Sequence, residues 1–285
     1  MCGIAGIASF KNQVDRRRLE KMCGAIHHRG PDDQGMKVLS AKEGARPTSV
    51  GLVHKRLSII DLSSAGRQPL CNEDETVWLT YNGECYNFQP LCDSLQSFGH
   101  RFVSKTDSEV IVHLIARQLA HGLEEALISA LSEIKGAYSL VLGTEDQIIG
   151  ARDPYGFRPM CLGVIDDNAY VIASETCALD LIGARYLRDV EPGEVVFIDG
   201  NGLRSRHLPN PGRTAFCIFE FIYFARPDSN IFGQNVYMAR KRLGHEMSQE
   251  YQVGADIVMP FPDSGNYAAL GFAEESGIPL EMGVI

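Results

Sequence analysis

The sequence predicts an α+β chain in two parts: antiparallel sheets with helices on their outer faces, then a short stretch of α/β character. Three observations carry this. Short apolar strands punctuated by Gly, Pro and Asp follow one another between residues 137 and 198. A few segments of helical spacing stand before and among them, enough to cover sheet faces. Beyond residue 212 the order becomes helix, strand, helix, which belongs to a parallel sheet.

Gly3 to Phe10 is short, apolar and glycine-interrupted, as a buried strand is. Val14 to Ile26 sets Leu19, Met22, Cys23 and Ile26 at helical spacing, and Arg29-Gly30-Pro31-Asp32-Asp33 breaks it. Thr76 to Tyr81 alternates and reaches Asn82-Gly83, a strand running into a turn. Asp107, just ahead of Val110, Ile111, Leu114, Ile115 and Leu119, caps a helix expected to run to about His121-Gly122. Strands follow over 137–142, 147–151, 160–164, 170–173 and 194–198, and Leu208-Pro209-Asn210-Pro211-Gly212 is the expected linker. After it Val236 to Gln252 reads as a helix, Ala255 to Met259 as a buried strand and Asn266 to Ser276 as a second helix.

Composition excludes several kinds of function. Of 285 residues 45% are apolar and 22% charged, enough apolar surface to offset chain entropy, so a disordered protein is excluded. Lys+Arg 27 against Asp+Glu 36 gives a net charge of −9, which repels phosphate backbones and argues against a nucleic-acid partner. No apolar run approaches the roughly 18 residues of a membrane span. The apolar start has no basic stretch before it, unlike a signal peptide. A cytoplasmic chain with no membrane partner is expected.

Eight cysteines are scattered without a CxxC pair or structural-zinc spacing, which predicts reduced thiols, most of them buried. His27, His28 and His54 complete no tetrahedral set with Cys or carboxylate spacing, so no metal is expected. The basic run Arg16-Arg17-Arg18 reads as the solvated face of the first helix. One cysteine stands apart by position. Removal of Met1 would put a thiol and a free α-amine on Cys2, and an α-amine of pKa about 7.7–8.0 can act as a base near neutral pH.

Met1-Cys2-Gly3-Ile4-Ala5-Gly6-Ile7 resembles the start of class II glutamine amidotransferases. His28-Arg29-Gly30-Pro31-Asp32-Asp33, Arg56-Leu57-Ser58-Ile59-Ile60-Asp61-Leu62, Tyr81-Asn82-Gly83-Glu84 and Thr106-Asp107-Ser108-Glu109-Val110 follow in that family's order. Residues 1–115 most resemble the glutaminase domain of asparagine synthetases. Residues 135–285 resemble amidophosphoribosyltransferases, through Ala173-Ser174-Glu175-Thr176-Cys177-Ala178, Val190-Glu191-Pro192-Gly193-Glu194 and the stretch from Cys217 to Ser229.

The resemblance implies a four-layer αββα sandwich of the N-terminal-nucleophile type over residues 2–210. A partial phosphoribosyltransferase-type α/β domain would follow over 213–285. It makes Cys2 the nucleophile on the glutamine carboxamide, with the Asn82 side chain and the Gly83 N–H as oxyanion donors. Arg56 would grip the α-carboxylate, Asp107 and Glu84 the α-ammonium, with Ile59 and Ile60 beside the substrate. Arg29 would brace the nucleophile loop. Read alone, Arg56 is a surface ion pair and Asp107 a helix cap; the order of the motifs is what assigns them. Cys217, at a family cluster-ligand position, reads as a buried structural thiol. Glutaminase chemistry needs no cofactor; Mg²⁺ enters only with a complete phosphoribosyltransferase domain.

The implied function is glutamine hydrolysis supplying ammonia toward phosphoribosylamine in purine biosynthesis. The implied partners are L-glutamine, phosphoribosyl pyrophosphate where the acceptor site is complete, and a second copy or another chain through residues 213–285. Between Arg213 and Ile285 no apolar strand ends in paired acids before a Gly-Thr-rich loop; Pro262-Asp263-Ser264-Gly265-Asn266 resembles an earlier family element. The acceptor site is therefore expected to be incomplete, and these residues alone to release free ammonia. Two alternatives stay open: the glutaminase part of an asparagine-synthetase-like enzyme, and an inactive glutamine-binding fragment or pseudoenzyme.

Overall fold

The structure, a computed structural model, describes residues 1–41, 44, 46–209 and 213–284. It divides into two compact units, Met1–Phe216 and Cys217–Ile285. The expected linker falls outside the described residues at 210–212.

The first unit runs β1 (Gly3–Ser9), α1 (Arg16–Ala25), β2 (Asp33–Ser40), β3 (Ser49–Arg56), β4 (Leu70–Cys71) and β5 (Trp78–Cys85). Three helices follow, α2 (Phe88–Ser97), α3 (Asp107–Gln118) and α4 (Leu123–Glu133), then β6 (Gly136–Gly143), β7 (Ile148–Arg152), β8 (Cys161–Ile165) and β9 (Ala169–Ala173). The unit closes with α5 (Thr176–Asp180), β10 (Arg185–Asp189), β11 (Glu194–Asp199) and β12 (Gly202–His207).

The strands form two six-stranded sheets, ordered β10-β8-β9-β1-β3-β2 and β12-β11-β7-β6-β5-β4, and their pairings are antiparallel. Alternation along β1 explains the layering. Ile4 and Ala8 point between the sheets with Leu52, Val141, Ile148 and Ile198. Ala5 and Ile7 point outward against Leu19, Met22 and Cys23 of α1 and Cys177 of α5. On the other side Leu79, Tyr81 and Leu140 pack under Leu95 of α2, Ile111 and Leu114 of α3, and Leu127 of α4. The result is the four-layer αββα sandwich. Gly6 faces the second sheet, where a Cβ would stand 2.5 Å from Ile148 Cδ1.

In the second unit a short hairpin, β13 (Asn230–Ile231) with β14 (Gln234–Asn235), leads into α6 (Val236–Glu250) and then α7 (Asn266–Ser276). Asn235 caps α6 by accepting from Met238 N at 3.1 Å. Gly244 and Gly271 sit where the two helices touch; a Cβ on either would collide with a backbone carbonyl of the other helix, Ala268 O or Lys241 O.

Several expectations are corrected. Asn82-Gly83 is no turn: β5 continues through it to Cys85, paired residue for residue with β6. Asp107 does not cap α3 from outside. Thr106 holds that position, Asp107 opens the helix, and α3 ends at Gln118 before a 3₁₀ turn. Ala255 to Met259 is neither buried nor a strand, because a lone apolar stretch needs ladder partners and this one makes a single bridge, Val258 to Leu280. Cys217 is half-buried rather than buried. Arg16 to Arg18 are exposed, as expected. All eight cysteines are free, Cys23, Cys85, Cys161 and Cys177 being buried. No described helix is long and apolar enough to cross a membrane.

Candidate active site

At one end of the sandwich the start of β1 and the end of β3, both in the first sheet, meet the second half of β5 in the other sheet. A cleft of about 510 Å³, solvent at its mouth included, opens there between Cys2, Arg56, Asn82, Gly83, Glu84 and Asp107. Ile59 and Ile60 form an exposed part of its wall. Every site residue singled out from sequence lines this cleft except Arg29, which stands behind Cys2.

Cys2 is fixed from the back. Its carbonyl accepts from Arg29 Nε at 3.1 Å. Arg29 Nη1 pairs with Glu175 Oε1 at 2.6 Å, and the same oxygen meets His28 Nε2 at 2.8 Å. Burial pushes the Glu175 carboxyl up, but the Arg29 charge and His28 outweigh it and hold it at about 2. Glu175 therefore stays ionised, and the buried pair locks the backbone that carries the thiol. Cys2 Sγ itself lies 3.8 Å from Leu57 O. Burial raises the thiol pKa, and Leu57, the chain's amino terminus, Arg29 and Arg56 recover only part of that rise. The thiol is protonated at neutral pH, so attack through it requires a base.

Asn82 is fully buried, and neither its Oδ1 nor its Nδ2 has a hydrogen-bond partner. Leaving such a group unsatisfied costs about 1–3 kcal/mol, and a ligand oxygen in the cleft would accept from its Nδ2 and remove the donor's share of that cost. The reason for glycine next to it is steric. A Cβ on Gly83 would stand 2.5 Å from Ala137 O and 2.6 Å from Tyr138 Cβ, so only glycine lets β6 lie this close.

Arg56, at the end of β3, is 5% exposed and no surface ion pair. Its Nη1 donates to Ser63 O at 2.7 Å and its Nη2 to Asp61 O, tying down the loop that walls the cleft. The other N–H donors of the guanidinium remain for the cleft. Asp61 secures the same loop, its carboxylate accepting from Lys105 N at 2.9 Å and Ser63 N at 2.8 Å.

Asp107 Oδ2 accepts from Cys85 N at 2.8 Å, which sets the carboxyl over the end of β5. Burial pushes it up, the Cys85 hydrogen bond opposes this, and the charge of Glu84 adds to it; the pKa ends at about 6. Burial also raises Glu84, against Arg158 and the amino terminus. Two neighbouring acids, both driven toward their neutral forms, would be relieved by an incoming ammonium.

The three histidines weighed as metal ligands do not converge. His54 is fully buried with Nε2 3.2 Å from Tyr81 O, and burial drives its pKa down to about 3, while His28 belongs to Glu175. Sequence reasoning missed Gln68, which accepts from Tyr81 N at 2.6 Å and donates to Ser108 Oγ at 3.3 Å, stitching β5 to α3 beneath the cleft. No spacing signals it. Glu175 lay within a stretch that carried the resemblance, yet nothing local in the sequence reveals its partner 146 residues away.

This fold and cleft define a class. Residues 1–192 match the glutamine amidotransferase domain family. Over its whole length the chain is 47% identical to the amidophosphoribosyltransferase of Synechocystis sp., spanning 63% of it. It is likewise 36% identical to that of Methanocaldococcus jannaschii, spanning 69%. The solved structure of a glutamine phosphoribosylpyrophosphate amidotransferase from B. subtilis, complexed with ADP and GMP, matches 99% of this chain and 66% of its own at a TM-score of 0.89 and 36% identity. The chain belongs to the amidophosphoribosyltransferase family of class II glutamine amidotransferases. It spans about half the length of other curated relatives, 54% of an Arabidopsis thaliana chloroplastic enzyme and 43% of one from Bacillus subtilis.

Proposed function

We propose that the chain hydrolyses L-glutamine at Cys2, and that in the whole protein the ammonia goes to phosphoribosyl pyrophosphate, the compound named for the B. subtilis relative. Met1 is removed, freeing the α-amine of Cys2. The amine takes the thiol proton as Sγ bonds to the carboxamide carbon, and the carbonyl oxygen becomes an oxyanion between Asn82 Nδ2 and the Gly83 N–H. Collapse breaks the C–N bond; the amine returns its proton to the leaving nitrogen, and ammonia departs from a γ-glutamyl thioester. Water, deprotonated by the same amine, then cleaves the thioester to glutamate and restores the thiol. Arg56 holds the α-carboxylate, and Asp107 with Glu84 the α-ammonium.

The observation that carries this reading is the Asn82 amide, buried without a partner in the same cleft as the Cys2 thiol. The test is glutamate release by wild type and Cys2→Ala, with the intact mass of the active preparation. Wild type should lack Met1 and turn over. Cys2→Ala should bind glutamine nearly as well and release none. Unchanged turnover in the variant, or an active chain that retains Met1, ends this mechanism.

Self-association, or a partner chain, through the second unit is part of the proposal. Exposed Met247, Val253, Ile257, Met259 and Phe261 gathered on one apolar hollow support it. Sedimentation of the purified chain checks it.

A further inference from the structure

Three donor atoms that the glutamine chemistry does not use converge on the far side of α3. Glu73 lies in the turn between β4 and β5, His100 in the loop after α2, and His113 within α3. Glu73 Oε1 is 3.1 Å from His113 Nδ1 and 3.3 Å from His100 Nδ1, and the two Nδ1 atoms are 3.1 Å apart. His113 is buried and the Glu73 side chain about half exposed.

Three separate segments thus bring one donor atom each within 3.3 Å of the other two. His113 Nε2 faces Glu109 Oε1 at 3.7 Å, and Glu109 is held in place by Val103 N and Ser104 N, each at 2.7 Å. A carboxylate on that side orients the His113 ring with its Nδ1 toward Glu73 and His100. A cation satisfies every contact at once. Tetrahedral zinc with bonds of about 2.0–2.1 Å sets its donors about 3.3 Å apart, close to what is observed.

We propose that Glu73, His100 and His113 bind one divalent transition ion, the imidazole–imidazole–carboxylate set suiting Zn²⁺. Glu109 is its outer partner, orienting His113. The ion joins the β4–β5 turn to α3, whose first residue, Asp107, lines the glutamine cleft, so it braces one wall from outside. Sequence spacing conceals the set, because the three lie 27 and then 13 residues apart.

The full chain, stripped with a chelator and dialysed, is titrated with zinc chloride and, separately, cobalt chloride. A single ion per chain should bind, the melting temperature should rise, and the cobalt form should absorb in the visible without a thiolate charge-transfer band in the near ultraviolet. Glu73→Gln and His100→Gln, both outside the cleft, should each weaken zinc binding at least about tenfold. Their melting temperature in chelator should stay that of wild type. Unchanged affinity in both variants overturns the site, as does a thiolate band, which would place the ion on cysteine.

Discussion

Asn82 and Asp107 are each placed at a cost to the folded chain, and that cost separates a binding role from a structural one. Asn82→Ala removes an unsatisfied buried amide. Its melting temperature should be unchanged or higher, while kcat for glutamine falls about 100- to 1000-fold with the lost oxyanion donor. Calorimetry beside steady-state kinetics reads both; a variant with wild-type kcat would remove Asn82 from the reaction. Asp107 titrates at about 6 in the folded chain against an ordinary 3.8. Between those values the folded state binds the extra proton, so this carboxyl's contribution to stability falls as pH rises through that window and stays low above it. Asp107→Asn should therefore be the more stable protein at pH 8, by up to roughly 3 kcal/mol at about 1.4 kcal/mol per pH unit. It should also raise the glutamine KM. In wild type kcat/KM should decline below pH 6, where the ammonium loses its counter-ion, and the variant's profile should lack that limb.

At the scale of elements, β5 carries the proposed oxyanion donors and its neighbour β6 sets their depth. Gly83→Ala forces the new methyl against Ala137 O, so β6 must move. A loss of about 1–3 kcal/mol is expected, with kcat falling further than KM rises because the 83 N–H shifts with the strand. Urea melts and kinetics on one preparation decide it. The buried strands were legible because their apolar runs are set by layers on both faces, and the helices α1, α6 and α7 because helical spacing marks the one face each buries. Edge strands were not. β10, β12 and much of β2 present Arg, Lys, Asp and Gly to solvent, and nothing in such a pattern marks a strand. β3 was missed for the opposite reason. Its closing His54-Lys55-Arg56 reads as a solvated end, yet all three are buried, each paid for by a specific acceptor: Tyr81 O, Gln34 Oε1 and the carbonyls of 61 and 63.

Over the whole molecule, the cleft was legible because its residues occur in motifs whose order is itself a signal. What escaped is whatever folding alone joins, such as Gln68 between β5 and α3, Glu175 behind Cys2, and the Glu73, His100 and His113 cluster. A central strand at the chain's start has a further result. Free ends ordinarily fray, but β1 pairs with β3 on one edge and β9 on the other, beginning at Gly3 beside Lys55. The residue before it inherits that rigidity, so the proposed nucleophile sits on a well-anchored stretch of backbone. Extra residues ahead of Cys2 would begin where Met1 stands, at the wall of the cleft, outside the paired part of β1, and would convert the Cys2 amine into an amide that accepts no proton. A preparation with a non-cleavable N-terminal tag should thus melt like the native chain and release no glutamate, and enzymatic trimming back to Cys2 should restore turnover without any change in fold.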